Sequence, residues 1–260
     1  IRNGQTGDWV GTFEGHKGAV YCSSFNAEAT KLVTGSGDYT ASVWDAVSGS
    51  KLHSWTHPHY IKGCDWWDNS IVTGCYDAQM RIYDATNYSS EPTVIATGYE
   101  SGKTVKSCYF VEDTKTVITA NENGVIKKWD LRSNTSVAER DMGPELRVLE
   151  YTHLHWLCAA HKKQVTFLDP HTFEEKGQIL TAEDIECASI SPNGKNVAVG
   201  SKIKAKEFTI DGTELQSHRG HHGPVFHVRW APDSSMFASA SEDGMVRIWP
   251  CHEVLGKSGE

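Results

Sequence analysis

The stretch GHKGAVYCSSFNAEATKLVTGSGDYTASVWD, residues 15–45, opens with Gly15-His16 and closes with Trp44-Asp45. Between these dipeptides it holds three short runs of alternating, β-branched and aromatic residues, at 19–25, 31–34 and 40–44. Glycine, asparagine, aspartate or serine bounds each run, and Gly37-Asp38 is a tight-turn signal. The stretch therefore predicts short strands joined by tight turns.

The closing aspartate of this stretch returns along the chain at a nearly constant spacing. It recurs as Asp45, Asp84, Asp130, Asp169 and Asp211, with Pro250 in the last slot, so the intervals are 39, 46, 39, 42 and 39 residues. A period of roughly 40 residues, with Gly-His and Trp-Asp dipeptides, resembles the WD40 repeat. That resemblance implies an all-β fold, a β-propeller built from four-stranded blades.

The repeats predict one domain over residues 1–260. A partial blade at 1–15 is followed by six repeats, at about 16–56, 57–97, 98–141, 142–181, 182–220 and 221–250. The partial blade favours a seven-bladed propeller whose first blade is truncated at the N-terminus, because residues 8–13 would form its outer strand. The alternative is a closed six-bladed ring in which residues 9–13 complete the last blade.

Three repeats carry a set of polar and aromatic residues that WD40 blades use as a hydrogen-bonded network. By resemblance, the full sets are His16, Thr34, Asp38 and Trp44 in the first repeat and His221, Ser239, Asp243 and Trp249 in the last; the second has His57, Thr73 and Asp77, with Tyr83 in place of tryptophan. These tetrads would be structural, because each group would otherwise be buried without a partner. Their recurrence far apart in the chain argues against a catalytic triad.

Loops on one face of a propeller are the remaining candidates for function. Residues predicted to lie on that rim and to bind partner proteins are Tyr39, Tyr60, Gln79, Tyr99, Lys162, Lys163, His222 and Met245. Exposed aromatic residues flanked by charges are typical anchors of protein–protein contacts.

The composition excludes several classes of function. A net charge of −8 argues against direct nucleic-acid binding, which needs a basic face. Seven cysteines lie in apolar, strand-like runs without a CxxC motif, which is typical of buried thiols in a cytoplasmic or nuclear protein. Neither a signal peptide nor a long apolar run is present, so we expect a soluble protein without membrane contact.

Two features could suggest a ligand site. The run GYESGKT (98–104) is similar to a phosphate loop, but only three residues separate its glycines and VKSCYFV (105–111) reads as a strand rather than a helix. Paired histidines such as His153 and His155 lack nearby acidic or cysteine ligands. The sequence therefore predicts no cofactor, no metal and no catalytic residue.

A closer resemblance covers the chain at matching blade positions. The runs TGDWVGTFEGHKGAV (6–20), VWDAVSGSKL (43–52), GHHGPVFHVRW (220–230) and SEDGMVRIW (241–249) resemble the serine–threonine kinase receptor-associated protein family. The resemblance implies a non-enzymatic scaffold, a monomer within the survival-of-motor-neuron complex that assembles spliceosomal small nuclear ribonucleoproteins. It also implies Gemin-type and RNA-binding protein partners and a link to transforming-growth-factor-β receptor signalling.

Two alternatives to this family remain open. The GH-x-GAV and GH-x-GP blades, at 15–20 and 220–224, are also similar to those of the propeller subunit of translation initiation factor 3. The run Trp129-Asp130-Leu131-Arg132 resembles the box by which some propellers dock as substrate receptors of a cullin ubiquitin ligase, although Asn123 and Lys128 depart from that box.

Overall fold

The computed structural model describes residues 3–4, 6–99, 104–111, 115–152 and 154–252. Twenty-three strands, joined by turns and short loops, are the elements of this part of the chain. They form two compact units, one over Val10–Pro144 and one that combines Arg2–Trp9 with Glu145–Glu260, as far as these stretches are described. Each unit contains three antiparallel sheets.

The first unit contains three four-stranded blades. The first blade is β1 (Val20–Phe25), β2 (Lys31–Ser36), β3 (Thr40–Asp45) and β4 (Lys51–Thr56). The second blade is β5 (Ile61–Trp67), β6 (Ser70–Cys75), β7 (Gln79–Asp84) and β8 (Thr93–Ala96). The third blade is β9 (Val105–Phe110), β10 (Thr116–Asn121), β11 (Val125–Asp130) and β12 (Thr135–Asp141).

The second unit contains two four-stranded blades and one of three strands. The fourth blade is β13 (Val148–Tyr151), β14 (Leu157–Ala160), β15 (Gln164–Leu168) and β16 (Glu175–Leu180). The fifth blade is β17 (Ile185–Ile190), β18 (Asn196–Ser201), β19 (Lys204–Thr209) and β20 (Glu214–Arg219). The sixth blade is β21 (Val225–Trp230), β22 (Met236–Ser241) and β23 (Val246–Pro250).

Every blade is an up-and-down meander in which each strand pairs with the next along the chain. The all-β class and the repeated four-stranded blade are thus confirmed, and each sheet lies inside one of the six predicted repeats. Which ring the blades form, six-bladed or seven-bladed, stays a prediction. In the described part of the chain, no helix is long and apolar enough to cross a membrane.

In consecutive blades of a unit, the second strand of one blade packs against the first strand of the next. Strand β2 is buried along most of its length, whereas the outer strand β4 alternates between exposed and half-buried residues. Glycines allow the close approach: a Cβ at Gly35 would lie 2.7 Å from Cγ2 of Ile61, and one at Gly74 would lie 2.5 Å from Cγ1 of Val105. Such contacts leave no space for a side chain, so glycine is required there.

A buried carboxylate links the first three blades. Asp65 on β5 accepts a hydrogen bond from Ser24 Oγ on β1 at 2.9 Å and one from the main-chain N–H of Phe110 on β9 at 3.0 Å. Burial raises the pKa of Asp65 to about 6, although both of these hydrogen bonds oppose the shift. The inner strands of this unit are therefore joined by side chains as well as by packing.

Candidate functional site

The predicted network of the first blade is present in full. Trp44 Nε1 donates to Thr34 Oγ1 at 2.8 Å, His16 Nε2 lies 2.7 Å from the same hydroxyl, and His16 Nδ1 lies 2.9 Å from Asp38 Oδ2. A neutral imidazole protonated at Nδ1 satisfies all three contacts, because Thr34 then donates to Nε2. The indole of Trp44 is fully buried. The network therefore joins the turn between β2 and β3 to the segment that precedes β1.

The sixth blade repeats this arrangement with serine in place of threonine. Trp249 Nε1 donates to Ser239 Oγ at 2.8 Å, and His221 Nε2 lies 2.7 Å from that hydroxyl. Nδ1 of His221 lies 3.1 Å from Asp243 Oδ2. Both complete sets serve the fold, since every polar group in them is used by another member of the set.

The turn carboxylates of these sets also bind the main chain. Asp38 accepts from the N–H of Lys17 at 2.7 Å and from Thr40 Oγ1 at 2.6 Å, and Asp243 accepts from the N–H of His222 at 2.9 Å. Burial raises the pKa of Asp38, but these hydrogen bonds outweigh burial and hold the pKa well below its usual range. The carboxylate is thus a fixed anion that orders the surrounding turn.

The second blade departs from the predicted set. His57 Nε2 lies 3.0 Å from Thr73 Oγ1 and 3.1 Å from the Tyr83 hydroxyl, as expected. The inclusion of Asp77 was wrong, because its carboxylate is held by the Arg81 guanidinium at 2.6 and 3.3 Å. A charged guanidinium on the adjacent strand is a stronger partner for a carboxylate than a neutral imidazole. Burial, followed by the charge of Arg81, lowers the pKa of His57 to about 4.

The third blade contains a network that the sequence did not predict. The Tyr99 hydroxyl lies 2.8 Å from Thr119 Oγ1, which also accepts from Trp129 Nε1 at 2.9 Å. Tyr99 thus takes the place of histidine, and the prediction that it is a partner-binding rim residue is wrong. Its ring is buried, which raises the pKa of its hydroxyl above the usual range. The dipeptide Gly98-Tyr99, at the position of Gly15-His16, was the signal for this role.

Two of the predicted rim residues belong to a cluster of exposed and partly exposed rings in the first unit. We call this cluster the aromatic surface, and it consists of Tyr21, Tyr39, His59, Tyr60 and Tyr76. His59 is its centre, with ring centroids 5.1 Å from Tyr39, 4.3 Å from Tyr60 and 4.5 Å from Tyr76. Tyr21 lies 6.0 Å from Tyr60. Tyr21 and Tyr39 are 45% and 43% exposed, so the surface presents aromatic area to solvent.

Irregular backbone positions direct these rings outward. Tyr39 has a φ of 70°, in the left-handed region, within the turn between β2 and β3. Tyr21 is the residue that the pairing of β1 with β2 skips, between Val20 and Cys22. A β-bulge of this kind turns a side chain away from its regular face. The five rings therefore come from loops and a bulge rather than from the faces of the sheets.

Hydrogen bonds tie these loops to the folded blades. The carbonyl of Tyr39 accepts from the N–H of His57 at 2.8 Å, and the carbonyl of Tyr60 accepts from the N–H of Tyr76 at 3.0 Å. Because His57 is itself held by the network of the second blade, the aromatic surface rests on a rigid support. Such support lowers the entropy lost when a surface binds a partner.

An ion pair borders the aromatic surface. Lys62 Nζ lies 2.7 Å from Glu122 Oε1, and it also lies 5.5 Å from the ring centroid of Tyr60 and 6.0 Å from that of Tyr21. These distances are within the range of cation–π attraction. Burial and the neighbouring Tyr76 raise the pKa of Tyr60 to about 12, so its hydroxyl stays neutral near pH 7.

The other predicted rim residues are not part of the aromatic surface. Gln79 is half-buried and accepts from Arg81 at 2.8 Å. In the second unit, Lys162 Nζ lies 3.8 Å from Glu145, and Lys163 is exposed. His222 and Met245 are exposed residues whose N–H groups bind Asp243, which places them beside the network of the sixth blade.

Four contributors to the aromatic surface and its border were missed by sequence reasoning. Tyr21 and Lys62 lie at bulges of β1 and β5, whereas His59 and Tyr76 lie in loops, so the strand pattern reveals none of the four. Lys62 is skipped by the pairing of β5 with β6, as Tyr21 is in the first blade. Aligning the bulge positions of successive repeats would have placed both side chains on the same face.

The described residues hold no group of three histidine, cysteine or acidic side chains arranged for a metal ion. His153 lies outside the described residues, and so do residues 100–103 of the run similar to a phosphate loop. That run leads into strand β9 at Val105, not into a helix that could face a phosphate.

Comparisons with known proteins agree with this architecture. The model of the WD domain, G-beta repeat, matches residues 7–45 and 212–250. A solved chain of the mitotic checkpoint complex has a TM-score of 0.80 at 14% identity, over 96% of this chain and 82% of that one. At such low identity the likeness shows the fold alone.

Curated relatives match nearly the full chain. A serine-threonine kinase receptor-associated protein from Gallus gallus is 36% identical over 99% of this chain and 73% of its own length. One from Dictyostelium discoideum is 36% identical over 96% of this chain and 86% of its own length. The more distant eukaryotic translation initiation factor 3 subunit I from Anopheles gambiae is 26% identical over 93% of this chain and 84% of its own length.

These relatives and the fold indicate a WD40 scaffold for interactions with other proteins. The aromatic surface is the part of the described chain best suited to such contact. The chain belongs to the family of serine-threonine kinase receptor-associated proteins.

Proposed function

We propose that this protein is a scaffold of the survival-of-motor-neuron complex, where it holds Gemin-type proteins during assembly of spliceosomal small nuclear ribonucleoproteins. The observation that carries the proposal is 36% identity over 99% of the chain to a serine-threonine kinase receptor-associated protein. The same identity supports a link to transforming-growth-factor-β receptor signalling and a location in both cytoplasm and nucleus.

The structure supports contact with protein rather than with RNA. Exposed rings on a rigid support are typical hot spots of protein interfaces. The net charge of −8 disfavours a phosphate backbone, which needs arginine and lysine in excess. The well-ordered polar sets of the first and sixth blades are used by the fold, so they are not available for chemistry.

Purification of the tagged full-length protein, with and without ribonuclease treatment, tests the proposal. We expect Gemin and Sm proteins to be recovered in both arms, because the contacts are made by protein. Loss of these partners after ribonuclease treatment, or their absence from both arms, would contradict it. A Lys202→Gln variant, changed at an exposed loop residue outside the networks, is the control for handling and expression.

A second candidate is a subunit of translation initiation factor 3, which the 26% identity to its subunit I favours. Recovery of the other initiation-factor subunits in the same purification would select it. The cullin-ligase alternative has less support, because the guanidinium of Arg132 is bound to Asp130 within its own turn, at 2.6 and 2.9 Å. Recovery of a cullin adaptor would restore that alternative.

A further inference from the structure

The aromatic surface already holds a positive charge from its own chain. Lys62 Nζ lies within 6.0 Å of two ring centroids, and Glu122 neutralises it at 2.7 Å. Electron-rich rings beside a carboxylate are the arrangement that binds organic cations in proteins. An ion pair between half-exposed groups contributes little to stability, so an incoming cation can displace it at small cost.

The backbone conformation of Tyr39 indicates that its ring has a role in binding. The equivalent position of the turn is Ala78 in the second blade, Gly124 in the third and Gly244 in the sixth, and all of these have positive φ. Glycine adopts this conformation without strain, whereas a tyrosine loses about 1–2 kcal/mol there. A strained residue with a 43% exposed ring is more simply explained by binding than by folding.

The net charge of the protein favours a partner segment of the opposite charge. A chain with net charge −8 attracts basic segments and repels acidic ones. Among cationic side chains, arginine is favoured over lysine because its planar, weakly hydrated guanidinium stacks on rings and can bind a carboxylate with two parallel hydrogen bonds.

From these observations we propose that the aromatic surface binds an arginine side chain presented by a partner protein, with the guanidinium against the rings and Glu122 as its counter-ion. Lys62 is the resident cation that the arginine displaces. The proposal rests on the scaffold function proposed above, for which it names the chemistry of one contact.

Peptides that differ at a single residue test this directly. The probes are Gly-Ser-Gly-Ser-Xaa-Gly-Ser-Gly-Ser peptides with Xaa as arginine, lysine, glutamine or glutamate, titrated into the full-length protein while the tyrosine ring signals are followed by NMR. We expect the arginine peptide to shift the signals of Tyr21, Tyr39 and Tyr60 and to bind at least threefold more tightly than the lysine peptide. The glutamine and glutamate peptides should leave the rings unchanged.

Variants of three residues separate binding from folding. Tyr39→Gly removes a ring and its strain together, so the fold should be kept while arginine binding weakens roughly fivefold. Glu122→Gln should weaken binding by a similar factor. Lys62→Met should strengthen binding at least threefold, because it vacates the rings and frees the carboxylate; a purely structural role for Lys62 would not predict a gain.

The ion pair of Lys162 and Glu145 provides the matched controls, since it lies in the second unit and outside the aromatic surface. Lys162→Met and Glu145→Gln make the same changes in net charge, and we expect binding of the arginine peptide within twofold of wild type. Equal effects at both ion pairs would reduce the result to general electrostatics and overturn the proposal.

Other outcomes would also overturn it. Binding of the glutamate peptide in place of the arginine peptide would show that Lys62 is the recognition group. Weaker binding of the arginine peptide by Lys62→Met would show that the arginine does not displace Lys62. The purification experiment distinguishes the two levels of the argument: if Tyr39→Gly retains the full set of partners of the wild type, the arginine contact is wrong and the scaffold function stands. If the wild type itself recovers no assembly partners, the function fails irrespective of the peptides.

Discussion

The first and fifth blades have the same strand order, and both have a bulge in the inner strand, yet their second strands are held in different ways. On β2, Thr34 accepts from Trp44 and contacts His16. On β18 the equivalent residue is Val199, which pairs with β17 in the register that Thr34 has with β1. The fifth blade thus has a methyl group where the first has the central hydroxyl of its network.

The polar anchor of the fifth blade lies elsewhere. Glu207 on β19 is fully buried and accepts from Asn196 Nδ2 at 2.8 Å, from Cys251 Sγ at 3.1 Å and from the N–H of His252 at 3.0 Å. These donors come from its own blade and from the segment after β23. A buried carboxylate with three donors is well satisfied.

The comparison teaches that a four-stranded meander can be locked by either arrangement, and that the arrangement of the first two blades also holds surface loops. In the first two blades, residues of the networks hold the loops that carry the aromatic surface. For example, the N–H of His57 donates to the carbonyl of Tyr39. In the fifth blade the anchor ties strands to a neighbouring chain segment. We therefore expect the residues that bind partners to lie in the loops next to the networks.

The largest expected effect is on the network of the first blade. Thr34→Val gives it the side chain that the fifth blade has, but leaves His16 Nε2 and the indole of Trp44 without their common partner. We expect a loss of about 2–4 kcal/mol in the free energy of unfolding, measured by urea denaturation.

The control for this variant is Thr86→Val, which removes an exposed hydroxyl that donates to Asp84 within its own turn at 2.6 Å, and its loss should be below about 1 kcal/mol. In the opposite direction, Val199→Thr buries a hydroxyl among apolar neighbours and should lose about 1–3 kcal/mol. If Thr34→Val behaves like Thr86→Val, the network adds nothing to stability and the contrast between the two blades disappears.

The anchor of the fifth blade is the next target. Glu207→Gln keeps the shape but replaces one acceptor oxygen by an N–H₂ group, so one of its three donors loses its partner. We expect a loss of about 1–3 kcal/mol in the free energy of unfolding. Glu214→Gln, at an exposed residue of the adjacent strand, is the control and should be nearly neutral. No difference between the two variants would argue against a structural role for Glu207.

Sequence reasoning found the blades because the tetrads of the first and sixth repeats are complete, and a set of four residues at fixed spacing is a strong signal. It failed where one chemical group replaced another. Tyr99 substitutes for histidine in the third blade, and Arg81 takes the carboxylate of Asp77 in the second. Neither case depends on the pairing of distant strands, because Arg81 follows Asp77 by four residues and Gly98-Tyr99 stands at the position of Gly15-His16. A pattern defined by one residue type overlooks a different side chain that can make the same hydrogen bond.

The aromatic surface was predicted only in part. Tyr39 and Tyr60 were recognised as aromatic residues in loops, which needs no coordinates. The inclusion of Tyr21 depends on a bulge, and that of Tyr76 depends on the approach of two loops through a main-chain hydrogen bond. Neither a bulge nor a contact between loops leaves a periodic trace in the sequence.

The inner strand of each of these blades binds a buried carboxylate from a neighbouring blade. Ser24 of the first blade binds Asp65, and the equivalent Ser189 of the fifth binds Glu150 at 3.2 Å. Burial raises the pKa of Glu150, against the opposing charge of Arg229, and it raises the pKa of Asp65 to about 6. Since the unfolded chain releases this proton near pH 4, the folded state binds more protons between pH 4 and 6, and stability falls as the pH rises through that window.

Asp65→Asn should remove this penalty. The amide can donate to Ser24 and accept from Phe110, so we expect the variant to be more stable than wild type by about 1–2 kcal/mol at pH 8 and equal to it at pH 4. Glu150→Gln is the contrast, because Arg229 lies 3.1 Å from that carboxylate and would lose its counter-charge. A gain in both variants, or in neither, would contradict the difference between the two carboxylates, of which only Glu150 has a charged partner.

The smallest expected effect concerns the strain at Tyr39, a position for which the fifth blade has no equivalent because its turn is shorter. Tyr39→Ala and Tyr39→Gly both remove the ring, but only glycine also relieves the positive φ of 70°. We therefore expect the glycine variant to be more stable than the alanine variant by about 1 kcal/mol in urea denaturation.

Gly244→Ala provides the reciprocal measurement, because a Cβ at that position meets no atom within 4 Å and φ is 77°. Its loss should also be about 1 kcal/mol, due to backbone strain without a steric clash. If alanine and glycine at position 39 are equally stable while Gly244→Ala is destabilised, the turn of the first blade relaxes without cost, and the ring of Tyr39 needs no functional explanation.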